Sequence, residues 1–301
     1  MNLIAGTIVT LPIDREVSPY GYFLREEGNQ DILLHYSEVV GTVKPGNRVE
    51  VFLFFDTDDR PAATMKKPYL TLGEMALLEV ADIHPRFGCF LEMGLGRQLL
   101  LPIRELPDLK ELQPRVGDHV YVIMEQDKQG RLKARLAGEL NLIEKAFHAP
   151  SAWKNQWFDA LVYKPLQMGT FVIVEGGVLG FGAIGMIHAS ERPRLLRLGE
   201  KVKVRVTHVR EEDGRVNLSM SEPKQISQVE DADRIYEYLK QRPGGAMPYS
   251  DGTPSDVIKE RFGISKASFK RALGKLMREG KITQKESWTY LVQSDEGKSE
   301  A

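Results

Sequence analysis

At 301 residues, with 41 Lys and Arg against 42 Asp and Glu and a formal charge of −1, the chain has room for roughly two to four domains with separate cores. Its 28% of charged side chains excludes a purely basic tail, and near-neutrality leaves nucleic acid open because local distribution decides that question. One cysteine, Cys89, excludes an internal disulfide and a multi-cysteine zinc site, and no run approaches the ~20 apolar residues that span a bilayer. The first residues lack a basic stretch followed by a long apolar segment, so no membrane partner and a cytoplasmic location are expected.

From the N-terminus, one pattern is written three times. Each copy opens with a Gly two residues before a Phe: Tyr20-Gly21-Tyr22-Phe23, Phe87-Gly88-Cys89-Phe90 and Met168-Gly169-Thr170-Phe171. An apolar run then leads to Ser37-Glu38, Arg104-Glu105 or Ser190-Glu191. A turn glycine (Gly46, Gly117, Gly199) enters an alternating strand, and a last basic strand starts at Arg60, Arg131 or Arg215. In the middle copy the alternation predicts strands at 76–83, 89–93, 98–103, 119–124 and 132–136. Five short strands in about 65 residues suit a small closed barrel better than a sandwich. Asp127 to Gly130 and Glu212 to Gly214 sit where the last hairpin must turn. Asp56, Asp58 and Asp59 read as turn residues in the first copy, where Pro61 demotes the last strand to an edge.

Residues 138–158 break the repeat. Leu140, Ile143, Glu144 and Phe147 stand at helical spacing ahead of Pro150, which predicts a short helical linker. Past the third copy a helix is expected over 231–241, stopped by Pro243-Gly244-Gly245. A second starts at Thr253-Pro254-Ser255, and Ser265 caps a third running to about Arg278. Ile282 to Gln284 and Ser287 to Val292 close a hairpin, completing a winged helix-turn-helix. The expected order is therefore mainly β: five-stranded OB-type barrels at 1–66, 70–137 and 159–223, the linker at 138–158, an α+β winged helix at 228–293 and a frayed tail at 294–301.

The order of Gly-x-Phe, His-x-Ser before Glu, and Gly-x-x-Val-x-Val resembles the OB-barrel repeat named after the first small-subunit ribosomal protein. The third copy matches best, through Phe171, His188, Ser190 and the ending Arg215 to Met220. Three such barrels and a winged helix, covering nearly the whole chain, resemble the conserved virulence factor B family of bacterial RNA-binding regulators. That resemblance implies binding of single-stranded RNA and control of other genes, virulence genes among them. Its physical basis is the exposed face of strands two and three, where aromatic rings stack on unpaired bases and nearby cations track phosphates. The copies depart from the pattern unequally: Pro102 stands where His is expected, Met168 replaces the first aromatic, and the loop from Gly176 to Gly185 is longer than required. Unequal contributions to binding are expected.

The candidate RNA contacts are Phe171, His188 and Arg215 in the third copy, Phe87 and Phe90 in the second, and Tyr20, Phe23 and His35 in the first. Strand alternation puts Phe87 and Cys89 on one face and Phe90 on the other, unless the glycine between them marks a bulge. In the third C-terminal helix Phe269, Leu273, Leu276 and Met277 form an apolar stripe, and Lys270, Arg271, Lys275 and Arg278 are the candidate nucleic-acid contacts. Duplex DNA through this helix, or protein partners on a near-neutral scaffold, are the competing readings. No cofactor, metal site or enzyme is expected. The six histidines lack metal-ligand spacing, Asn47 stands where a P-loop needs Lys, and the Ser151/Lys154 pair lies in the linker. Gly180 to Gly185 spells a dinucleotide fingerprint, but strand-like residues follow it where a helix is required, so it reads as a loop.

Overall fold

The computed structural model describes residues 4–25, 30–222 and 224–292, the backbone alone at 224–230. The tail expected at 294–301 and residues 1–3, 26–29, 223 and 293 of the expected modules lie outside the described residues. The chain forms two compact units, residues 1–221 and 222–301.

In the first unit, strands β1 (Ile8–Val17), β2 (Gly21–Leu24), β3 (Ile32–His35), β4 (Arg48–Phe55) and β5 (Pro61–Thr64) close a barrel in the order β1-β2-β3-β5-β4. Leu11, Ile13, Leu24, Leu34, Val49, Val51 and Leu53 fill it, as the two-residue period of these strands requires. The third copy repeats the order with β11 (Trp157–Pro165), β12 (Gly169–Glu175), β13 (Gly182–His188), β14 (Lys201–Val209) and β15 (Val216–Ser219).

The middle copy departs from the closed barrel expected of it. Strands β6 (Met75–His84), β7 (Gly88–Glu92), β8 (Gln98–Pro102), β9 (His119–Gln126) and β10 (Leu132–Leu136) form a five-stranded sheet in the order β10-β9-β6-β7-β8. Its ends, β8 and β10, run side by side without a hydrogen-bonded ladder. One amide that faces this gap, Leu136 N–H, donates instead to the Glu105 carboxylate at 3.3 Å.

What fills the middle copy comes partly from its neighbours. Phe52, Phe54 and Ala62 of the first barrel and Leu198 of the third lie in one core with Val80, Leu91, Leu99, Val122 and Met124. The run Val51-Phe52-Leu53-Phe54 is thus apolar on both faces because both are buried, one in its own barrel and one in the next. Strand β9 does the same on the other side: Val120, Val122 and Met124 point into the middle core, while Ile123 meets Tyr163, Ile173 and Ile184 of the third barrel. Main-chain bonds fasten these seams, with Leu72 N–H donating to Gly6 O at 2.8 Å and Leu198 N–H to Leu112 O at 2.8 Å. Arg197 of the third copy forks onto Asp118 of the second at 2.7 and 2.9 Å, nearly out of solvent.

The linker holds one short α-helix, α1 (Glu139–Ile143), and a 3-10 turn at Ser151–Trp153. Leu142 buries itself among Tyr163, Ile173 and Ile184, and Phe147, Ala149 and Trp153 pack onto the third barrel's core. Its last residues merge into β11, which opens at Trp157.

The second unit contains α2 (Lys224–Lys240), α3 (Ser255–Phe262), α4 (Lys266–Arg278) and a sheet ordered β16-β18-β17, from Ala246–Met247, Trp288–Leu291 and Ile282–Lys285. The two-residue strand β16 is not signalled by any alternation. Ser265 caps α4, its hydroxyl accepting Ser268 N–H at 3.1 Å. Phe269, Ala272, Leu273 and Leu276 are the buried face of α4, and Met277 is exposed. The expected stripe is corrected at one position: a turn of 3.6 residues carries Ala272 inward and Met277 past the edge.

Candidate nucleic-acid interface

Register makes the three copies directly comparable. The first strand of each carries an irregularity at the same place, between Ile13 and Arg15, Val80 and Asp82, or Val162 and Lys164. The residue beyond it pairs with the outward aromatic of the second strand, which pairs in turn with the third strand. The rows read Arg15–Phe23–Leu33, Asp82–Phe90–Leu100 and Lys164–Phe171–Met186. Phe23, Phe90 and Phe171 are each half-buried at the centre of an outer face.

The cation at the end of the row differs between copies. Lys164 is exposed, its Nζ 5.6 Å from the Phe171 ring centre, and it meets no carboxylate among the described residues. Arg15 lies 4.9 Å over Phe23 but is held by Asp14 at 2.7 Å and Asp31 at 2.5 Å. The middle copy has an acid, Asp82, in that position. A cation beside a ring strengthens the site for a stacked base with its phosphate, and a carboxylate there opposes the phosphate.

The third strand ends in a second shared feature. His35 and His188 pair with Gly21 and Gly169 and are exposed. Each cap starts a turn, its Nδ1 accepting the Ser37 or Ser190 N–H at 3.2 Å and lying 2.9 or 2.8 Å from the same serine's Oγ. With Nδ1 occupied as an acceptor, the neutral ring carries its proton on Nε2, which is left as a donor. Pro102 and Arg104 occupy these places in the middle copy, and that turn has no side-chain cap.

The remaining expected contacts separate. Tyr20, Phe87 and Met168 all precede the glycine and are exposed. Phe87 stacks on His84 at 4.4 Å, while Cys89 is fully buried. Simple alternation between Phe87 and Cys89 is therefore broken at Gly88, whose φ of 123° belongs to glycine. A Cβ at Gly88 would meet the Leu101 carbonyl, and one at Gly21 the Leu34 carbonyl, so strands cross there at backbone contact. Arg215 is engaged by two carboxylates. Its guanidinium pairs with Glu139 of α1 at 2.8 Å and Asp213 at 3.3 Å, tying the linker helix to the last hairpin.

Two groups that sequence reasoning missed shape the third face. One is Lys164, detectable as a charge five residues before Gly169, where Arg15 and Asp82 stand six before theirs. The other is Arg192, buried and donating to Thr170 Oγ1, to Leu166 O at 2.8 Å and to Gln167 O at 2.6 Å. Burial lowers its pKa, yet a guanidinium stays charged, and among the described residues it meets no carboxylate. A net positive charge thus sits behind the turn that carries Met168. The upper half of this face, Ile173 and Ile184, is covered by Leu142, Ile123 and Ala137. The open part is Lys164, Phe171, Met186, His188 and Asn217, and Lys164 and Met168 also line an apolar cleft of about 570 Å³ toward Leu106 and Leu109.

In α4, Lys275 shares Glu279 with Lys281 at 3.7 and 2.8 Å, and Lys270 lies 3.9 Å from Asp251. Arg271 donates to Ser268 Oγ at 3.0 Å and Arg278 to Gly274 O at 3.2 Å, and both are exposed without a carboxylate among the described residues. Two of the four expected basic contacts therefore keep an unbalanced charge.

Comparison with known proteins fits these modules. Residues 5–66 match the S1 domain, 75–135 the CvfB first S1-like domain, 143–222 the second domain of the virulence regulatory factor CvfB, and 233–291 the CvfB-like winged helix domain. An uncharacterized Bacillus subtilis protein, YitL, is 40% identical over 95% of this chain and 93% of its own. Conserved virulence factor B of Staphylococcus epidermidis is 31% identical over 90% of this chain and 92% of its own. A crystal structure of a Streptococcus pneumoniae multidomain protein with nucleic acid binding domains aligns over 96% of this chain and 98% of its own, at 32% identity and a TM-score of 0.62. With its S1-type repeats, its winged helix and these relatives aligned end to end, the chain belongs to the conserved virulence factor B family.

Proposed function

We propose that this protein is a cytoplasmic, non-catalytic regulator that binds single-stranded RNA, chiefly on the third S1-type barrel, and acts after transcription. The observation that carries the reading is the open row Lys164–Phe171–Met186 with the His188 Nε2 donor beside it. Phe171 supplies a ring for a base, Lys164 a charge for its phosphate, and His188 a donor fixed by its own turn. The Streptococcus relative described by its nucleic acid binding domains supports the class of ligand. The first barrel offers the same row with its cation paired to Asp14 and Asp31, and the middle row sets Phe90 beside the acid Asp82, while Phe87 of that copy lies against His84 and under Arg86.

The test is a titration of fluorescently labelled single-stranded RNA with the full chain at two salt concentrations, beside duplex DNA. RNA preference that falls with salt is expected, and Phe171→Ala should weaken it by about 1–3 kcal/mol. Tight duplex binding insensitive to Phe171→Ala but lost in Arg271→Ala/Arg278→Ala would move the function to the winged helix, whose two unpaired guanidiniums favour that second reading. Binding of neither nucleic acid would sink the proposal in favour of a protein scaffold.

A further inference from the structure

A second cationic cluster lies in the winged-helix unit, outside α4. Tyr238, near the end of α2, accepts hydrogen bonds on its hydroxyl from Arg242 at 2.6 Å and from Arg261, in α3, at 3.1 Å. Both guanidiniums also lie over the same ring, 5.0 and 5.2 Å from its centre. The ring is held edge-on against Phe262, which in turn meets Tyr249 at 5.4 Å. Two like charges are thus gathered on one neutral group, and among the described residues neither meets a carboxylate. The Arg242 Nε is buried without a partner, and Arg261 is exposed. Nearby Arg234 adds a third guanidinium, donating to Phe262 O at 3.1 Å.

This arrangement is electrostatically incomplete. Like charges gathered on one group repel, and each guanidinium still has donors to spare after one bond to a shared phenol. Elsewhere in the chain, gathered arginines bring their own acids: Arg194 and Arg197 share Glu200, and Arg197 also forks onto Asp118. Here no carboxylate among the described residues supplies the counter-charge, and the phenol partly stands in for it. Burial pushes the Tyr238 hydroxyl up, but the bonds from Arg261 and Arg242 outweigh it and leave its pKa below the ordinary 10.0.

We propose that Arg242 and Arg261, converging on Tyr238, form a binding site for a phosphate group. Planar guanidiniums are matched to phosphate oxygens in a way that lysine is not, and the bond to the Tyr238 hydroxyl orients each of them. The phosphate is either free or part of a nucleic acid backbone. Only the second source rests on the proposed RNA binding.

The test uses the full chain, with the arginine Nε–H resonances followed by NMR and assigned through Arg242→Gln and Arg261→Gln. Inorganic phosphate is titrated first, at constant ionic strength set with chloride, then single-stranded RNA and duplex DNA. Saturable shifts of these two resonances under phosphate are expected, with each single variant weakening the affinity about tenfold. Tyr238→Phe removes the acceptor the two charges now share and should tighten phosphate. It serves as the second variant should a glutamine variant fail to fold. Shifts that never saturate, or that spread equally over all arginines, would overturn the site. If RNA moves the same two resonances, the backbone is the source. If only free phosphate does, the site stands on its own, even in a chain that binds no RNA.

Discussion

The third and middle copies share strands, register and a central phenylalanine, yet differ in the charge paired with that ring and in the capping of the turn that follows. In the third, the row ends in Lys164, which meets no carboxylate among the described residues, and the third strand ends in His188, which caps its turn; in the middle copy the same places hold Asp82 and Pro102. Closure differs in parallel, since the third copy is a complete barrel and the middle one an open sheet completed by Phe52, Phe54 and Leu198. The middle repeat is the joint between two others. That contrast separates residues that hold the array from residues proposed to meet the ligand.

The sharpest way to break it is through the strand-crossing glycines. Gly88→Ala forces a Cβ onto the Leu101 carbonyl at a φ of 123°, and should cost on the order of 3–5 kcal/mol by denaturant unfolding. The equivalent Gly169→Ala has a Cβ no nearer than 3.4 Å to Ile187 O, and should cost about 1 kcal/mol or less. Equal losses would mean that the three glycines share one role. Next in size is Phe54→Ala, which removes a side chain of the first barrel from the middle core. A loss of about 3–5 kcal/mol is expected, with hydrogen exchange quickening in β9 and β10 rather than in the first barrel alone.

The ligand side of the contrast is sharpened by Asp82→Lys, which gives the middle row the charge that Lys164 supplies. RNA affinity should rise by up to about 1 kcal/mol, and the slope of log affinity against log salt should steepen by about one. No change would mean that the middle face is closed to RNA for other reasons.

The smallest effect concerns acid. Burial pushes the Glu200 carboxyl up, but hydrogen bonds from Arg194 and the Arg197 amide and the charges of both arginines outweigh it, and its pKa falls below 4.5. A carboxyl lowered in the folded state adds stability that is present above its unfolded value and is lost as pH falls through the folded value. Unfolding free energy should therefore drop below about pH 4.5, and Glu200→Gln should flatten that part of the curve by roughly 1 kcal/mol. An unchanged slope in the variant would show that other carboxylates dominate.

Much of this was legible in residue order. The three Gly-x-Phe openings, the alternation after each turn glycine and the helix signals at Pro254 and Ser265 correspond to observed strands and helices. The rest depends on contacts between distant segments. Phe52 and Phe54 read as ordinary strand residues until the next copy is seen to need them, and the partner of Arg215 is a glutamate 76 positions earlier, 215 minus 139, on α1. The cation in the row was hidden because the strand irregularity shifts it out of simple alternation.

The shared core also decides how this protein can be taken apart. Cutting near residue 70 leaves Phe52 and Phe54 bare on one fragment and a hole among Val80, Leu91 and Val122 on the other. A deletion series through residues 1–221 would then report unfolding in the guise of lost function, whichever copy binds. Exchange meets the same obstacle: replacing any one of the first three modules would break a core that it shares with a neighbour, whereas the winged helix has a core of its own.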